Sequence, residues 1–154
     1  MCDQVAVPLN RLLYRYLIDL EVKRAVRYSR FLSICHIGLD GTRKDDFAIL
    51  NTTAEIVHEL IRETDVYSYI DDGILSVLLH NTDSQQANLV GNRIRHRIAE
   101  QTFILDGASL QKTASVGGAC FPTHVDDPTT LLLKADEMLE TARLRGGNTV
   151  VFPD

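Results

Sequence analysis

No apolar stretch in this chain approaches the roughly 20 residues needed to cross a bilayer, and its N-terminus lacks a signal-peptide pattern. Cysteine is scarce: Cys2, Cys35 and Cys120 are odd in number and widely spaced, as expected of reduced thiols in a cytosol. No Cys/His spacing of the metal-binding kind occurs. His36, His58, His80, His96 and His124 are each isolated, and none is assigned a role. Neither sign of charge dominates. With a net charge of −5 and scattered arginines, binding driven by phosphate neutralisation of a nucleic-acid polymer is excluded. There is no internal repeat, linker or low-complexity segment. At 154 residues the chain can hold its own core as one domain over 1–154. Composition therefore predicts a cytoplasmic globular domain with no membrane insertion.

Periodicity supplies the elements. Residues 8–29 read as an amphipathic helix with Leu13, Leu17 and Leu20 on one face and Lys23, Arg24, Arg27 and Arg30 toward its end. Phe31 to Leu39 reads as a strand closed by Asp40-Gly41. Phe47, Leu50, Ala54, Val57 and Ile61 mark a second helix face. Val66 to Ile70 and Ile74 to Leu79 are strands joined at Asp72-Gly73, a strong signal for a two-residue hairpin turn. A third helix over 83–101 turns Ala87, Val90, Ile94 and Ile98 inward. A second strand pair follows, Phe103 to Leu105 and Leu110 to Phe121, with Gly117-Gly118 marking a bulge or a close approach of backbones. A last helix with Leu132, Ala135, Leu139 and Ala142 ends at Gly146-Gly147, and Thr149 to Phe152 is a final strand. Residues 1–30 then carry the N-terminal helix and 31–154 the core. The predicted class is α+β, a mostly antiparallel central sheet covered by helices.

With the elements in this order, the chain resembles a GGDEF domain, the nucleotide-cyclase-like fold of diguanylate cyclases, over almost its whole length. Leu9-Asn10-Arg11 resembles the family's opening motif, and Glu21 through Ser33 the passage from helix to first strand. Ser115-Val116-Gly117 resembles the Ser-Ile-Gly of the late strand. Lys134-Ala135-Asp136-Glu137-Met138-Leu139, Ala142-Arg143 and Gly147-Asn148 track the family's ending.

The departures from the pattern bear on activity. Where the family carries Gly-Gly-Asp/Glu-Glu-Phe, this chain has Asp71-Asp72-Gly73-Ile74-Leu75. In the family the glycines let backbone approach the triphosphate, and the acidic third residue helps hold Mg²⁺, a hard cation that needs oxygen ligands. Gly73 supplies none. The other metal-binding aspartate falls at Gly38, leaving only its partner Asp40, and the guanine-recognising segment is shortened to Gly41 through Asp46. The resemblance therefore implies a degenerate site with no catalytic residue, no metal and no Mg²⁺ requirement. Asp71 and Asp72, adjacent on a turn, read as turn-formers.

One family feature is kept. The inhibitory or sensing site for cyclic di-GMP carries Arg-x-x-Asp just before the signature turn, and Arg62-Glu63-Thr64-Asp65 occupies that register. A second Arg-x-x-Asp, at Arg43 and Asp46, lies elsewhere. Family members add an arginine from the helix after the hairpin, often from a neighbouring molecule, which falls at Arg93. A planar guanidinium suits the N7 and O6 acceptors of guanine, and a carboxylate suits its N1–H and N2–H₂ donors. The rival reading is a local Arg62–Asp65 ion pair at a helix end. The resemblance implies a cyclic di-GMP receptor using Arg62, Asp65 and Arg93, with a protein partner or homodimer. The alternative is a nucleotide-independent protein-interaction domain.

Overall fold

The computed structural model describes residues 8–41 and 47–154. The second Arg-x-x-Asp, at Arg43 and Asp46, and most of the shortened segment lie outside the described residues. The elements run α1 (Arg11–Tyr28), β1 (Leu32–Leu39), α2 (Phe47–Leu60), β2 (Val66–Asp71), β3 (Ile74–His80), α3 (Ser84–Glu100), β4 (Thr102–Leu105), β5 (Ala108–Gln111), β6 (Ala114–Phe121), α4 (Pro128–Leu144) and β7 (Val150–Val151). Five strands form the main sheet in the order β2-β3-β1-β6-β7, and β4-β5 make a separate two-stranded sheet. The main sheet is antiparallel except for β7, which pairs parallel with β6.

Strand β1 lies at the centre and is buried along its whole length. Its side chains alternate between faces, as strand geometry requires. Cys35, Ile37 and Leu39 join the core under α2 and α3, while Leu32 and Ile34 join the core under α1 and α4. Burial pushes the Cys35 thiol up to about 12, which makes it an inert core group. Helices α3 and α4 start on side-chain caps. Asp83 and Gln86 form a capping box on α3, and Asp127 caps α4 ahead of Pro128. The outer edge of β2 is engaged by the chain entering α1, where the Leu9 N–H donates to the Tyr67 carbonyl at 2.9 Å and Ser68 Oγ to the Leu9 carbonyl at 2.8 Å.

The structure corrects several predicted faces. Leu13 is 47% exposed; α1 buries Tyr14, Ile18, Val22 and Ala25 instead, with Leu17 and Leu20 only half-buried. Tyr14 can lie inward because its hydroxyl meets Ser76 Oγ at 2.7 Å. In α2, Phe47 is 83% exposed and the buried stripe is Ile49, Thr53, Ala54, Ile56 and Val57. Thr53 is satisfied inside by donating to the Ile49 carbonyl. The segment Leu110 to Phe121 is two strands: β5 is largely exposed and, among the described residues, pairs only with β4, whereas β6 is buried and sits between β1 and β7. The polar Lys112-Thr113 pair separates them.

The Gly117-Gly118 pair marks close approach, with β6 in unbroken register to β1. A Cβ at Gly117 would land on the backbone of Met138 and Leu139 in α4, and one at Gly118 on the Phe152 ring. Helix and sheet therefore touch backbone to backbone, and only glycine permits it. Gly117→Ala is expected to destabilise the fold by about 3 kcal/mol or more, the upper range for overpacking against rigid backbone. Urea unfolding beside wild type measures it, and an unchanged midpoint would refute the close contact.

Candidate functional site

The chain leaves α2 and enters β2 through a tight turn built by the two predicted residues. The Asp65 N–H donates to the Arg62 carbonyl at 3.0 Å. In return, the Arg62 N–H donates to Asp65 Oδ2 at 3.1 Å, with Arg62 Nε at 3.5 Å from the same oxygen. The other carboxylate oxygen, Oδ1, takes the His80 N–H at 3.0 Å, at the far end of β3. Arg62 Nη2 reaches the His80 carbonyl and Thr82 Oγ1, both at 2.6 Å. This pair staples the exit of α2 to the exit of β3.

The two side chains differ in access. Asp65 is 2% exposed while Arg62 is 60% exposed. Beside them a depression of about 310 Å³ has Leu60, Ile61, Leu89 and Val90 as its apolar lining and Arg62 and Arg93 as its cations. Arg93 projects from α3 of the same chain and is exposed. The structure thus gathers Arg62, Asp65 and Arg93 around one depression, two as accessible guanidinium groups and one as an enclosed carboxylate. Burial raises the Asp65 pKa, but the His80 ring and backbone N–H, the Arg62 N–H and the Arg62 charge outweigh it and hold the carboxyl below its usual range.

The signature hairpin lies at the other end of the β1/β3 ladder. Leu32 pairs with His80 at one end and Gly38 with Ile74 at the other, six residues or about 20 Å apart. Gly73 takes a φ of +75° in the turn, and the Asp72 N–H donates to Asp71 Oδ1 at 2.8 Å. A Cβ on Gly38 would collide with Arg143 Nη2, so the Arg143 guanidinium from α4 lies directly against Gly38. Asp40 is taken up structurally. It accepts from Thr113 Oγ1 and Ser115 Oγ, both at 2.6 Å, and from the Asn148 N–H at 2.9 Å. Among the described residues no three His, Cys, Asp or Glu side chains converge as a metal-binding set.

Several residues that matter at these places carry no local sequence signal. His80 is isolated in sequence, yet its backbone ties Arg62 and Asp65 and its ring lies between Glu21 and Asp65. Thr82 anchors the Arg62 guanidinium. His36 is fully buried with Nδ1 2.7 Å from Asp136 Oδ1, a contact across 100 residues with no local signal. The basic run of α1 is largely local: Arg24 pairs with Glu21 at 3.3 Å, and Arg27 and Arg30 lie over the Tyr28 ring.

An α+β domain with this strand order and helices on both faces is the nucleotide-cyclase-like architecture. The diguanylate cyclase GGDEF-domain family matches residues 46–149, and the chain belongs to that family. It is similar to the uncharacterized protein YhcK of Bacillus subtilis, at 33% identity over 97 residues, 62% of this chain and 27% of that protein. The chain thus spans about a quarter of that relative's length. In structure it is similar to the GGDEF domain of YfiN (TpbB) from Pseudomonas aeruginosa, with a TM-score of 0.88, 18% identity and coverage of 100% and 95% of the two chains. It is also similar to the GGDEF domain of DgcB from Caulobacter crescentus, solved in complex with c-di-GMP, with a TM-score of 0.87, 12% identity and coverage of 97% and 91%.

The depressed Asp65 pKa fixes a sign. A carboxylate titrating lower in the folded state contributes stability that is present above its unfolded pKa and lost as pH falls through the folded one. In Asp65→Asn the amide NH₂ must face either the Arg62 or the His80 N–H, so a loss of about 1–3 kcal/mol is expected at neutral pH. Part of the acid sensitivity should vanish with it. Urea unfolding of both proteins from pH 7 down to about pH 3 reads both effects; an unaltered pH profile would contradict the staple.

Proposed function

We propose that this GGDEF domain is catalytically inactive and acts as a cyclic di-GMP receptor through Arg62, Asp65 and Arg93. The observation that carries the reading is the depression itself, which sets two accessible guanidinium groups and a carboxylate around an apolar lining. Guanidinium groups offer paired donors to the Hoogsteen edge of guanine or to phosphate, and the apolar lining suits a stacked base. In this reading Arg62 and Arg93 make the first contacts. Asp65 orients Arg62 and takes the guanine N–H donors by turning outward. The solved DgcB domain contains the same ligand, and it is carried to this chain as part of the proposal.

Inactivity is inferred from the chemistry of the other end of the sheet. Gly38 and Gly73 carry no side-chain ligand atom, the Arg143 guanidinium lies against Gly38, and the Asp40 oxygens accept three structural hydrogen bonds. These residues do not fit a hard divalent cation, which needs converging oxygen ligands. The enclosed Asp65 carboxylate favours the second reading, a protein-interaction domain that binds no nucleotide, because the Arg62–Asp65 pair is already satisfied within the fold.

Calorimetric titration with cyclic di-GMP, with GTP as control, separates the two. The receptor reading expects dinucleotide binding that Arg62→Ala and Arg93→Ala each weaken about tenfold to 100-fold, the worth of a charge-assisted pair of about 1.5–3 kcal/mol. Absence of binding by the wild type would establish the interaction domain instead. Turnover of GTP with Mg²⁺ would overturn the inactive reading.

A further inference from the structure

We propose that His80 positions Asp65 for the ligand and, through Glu21, couples the Arg62 depression to helix α1. The proposal rests on the receptor reading for its ligand, but its wiring is a property of the free protein. A second hollow of about 580 Å³ lies between the C-terminal half of α1 and the start of β1, with Glu21, Arg24, Tyr28 and His80 among its walls. His80 lines this hollow, Asp65 lines the Arg62 depression, and the two residues touch. The Asp65–His80 contact is therefore the partition between them.

The imidazole lies between two carboxylates. Its Nε2 is 3.4 Å from Glu21 Oε2, and its Nδ1 is 3.5 Å from Asp65 Oδ1. The Nδ1 atom is buried and makes no full hydrogen bond. A neutral ring has one N–H for these two acceptors. With the proton on Nε2, Glu21 is served and Asp65 Oδ1 faces a lone pair. With the proton on Nδ1, Asp65 is held inward and Glu21 faces the lone pair. Arg24 Nη1, 3.3 Å from Glu21 Oε1, leaves Glu21 Oε2 to the ring.

A guanine edge arriving at Asp65 supplies the donors that Oδ1 lacks from the ring, and the ring then carries its proton on Nε2 and points that N–H at Glu21 Oε2. Occupancy of the depression and attachment of α1 thus favour the same tautomer. The coupling is reciprocal, because each event changes the free energy of the other by the same amount. The arrangement also explains why an isolated histidine occupies the end of β3: an apolar residue there would leave Asp65 and Glu21 unconnected.

The test uses the whole chain. Nitrogen-15 NMR of the His80 ring, without ligand, compares wild type with Glu21→Ala and Glu21→Gln. Removing Glu21 should move the proton toward Nδ1, whereas Glu21→Gln keeps an oxygen acceptor for Nε2–H and should track wild type. Titration with cyclic di-GMP should then show Glu21→Ala weakened about fivefold or more, within the usual range of coupling energies, and Glu21→Gln restored. Ligand should slow amide exchange in the last turns of α1 in wild type and not in Glu21→Ala. An unchanged tautomer in Glu21→Ala overturns the coupling, as does dinucleotide binding that is equal in wild type and Glu21→Ala. If the tautomer shifts as expected and the wild type binds no dinucleotide, the wiring is supported and the receptor reading alone falls.

Discussion

Strand β1 is buried on both faces and paired on both edges, and the rest of the molecule is arranged to make that possible. Eight consecutive buried residues need every backbone group bonded and every side chain housed. β3 and β6 supply the bonds, and two helices on each face supply the housing. The polar residues of the strand carry the strictest demands. Ser33 Oγ donates to the Thr82 carbonyl at 2.7 Å, and His36 is held to Asp136. Gly38 accommodates the Arg143 guanidinium, and Gly117, opposite His36 on β6, lets α4 approach to backbone contact.

The ladder has two ends, and a carboxylate serves each one structurally. Asp40 joins the end of β1 to the start of β6 and the loop before β7. Asp65 joins the exit of α2 to the exit of β3. The ends differ in the cations around them. Near Asp40 the Arg143 guanidinium fills the space beside Gly38. Near Asp65, Arg62 and Arg93 stand open around an apolar hollow. One end is closed by its arginine and the other is held open by two, and the proposed division between a silent catalytic end and a receptive end follows from that difference.

Much of the fold was legible in the sequence because local chemistry decided it. The Asp72-Gly73 turn needed a positive φ, the α3 cap needed Asp83 and Gln86, and the inward stripe of α3 followed helical spacing at Ala87, Ile94 and Ile98. Errors arose where several apolar residues competed for one face. Leu13 lost to Tyr14 because Ser76 was waiting for a hydroxyl, and Phe47 lost to Ile49 where α2 begins. The division of Leu110 to Phe121 depended on which strand the main sheet would accept, a decision made by β1 and β7 and not by the segment itself.

Sequence alone determined the α+β class and the order of elements, because these rest on periodicity and turn residues, while resemblance to the GGDEF pattern pointed to Arg62, Asp65 and Arg93. Only the tertiary structure decided what those positions are. It turned the Asp65 carboxylate inward onto His80 and left the Arg62 and Arg93 guanidinium groups accessible beside a shared hollow. It also placed Arg143 against Gly38 and Glu21 beside the His80 ring. Those contacts join residues from different elements, between 15 and 105 positions apart, and no local spacing encodes them.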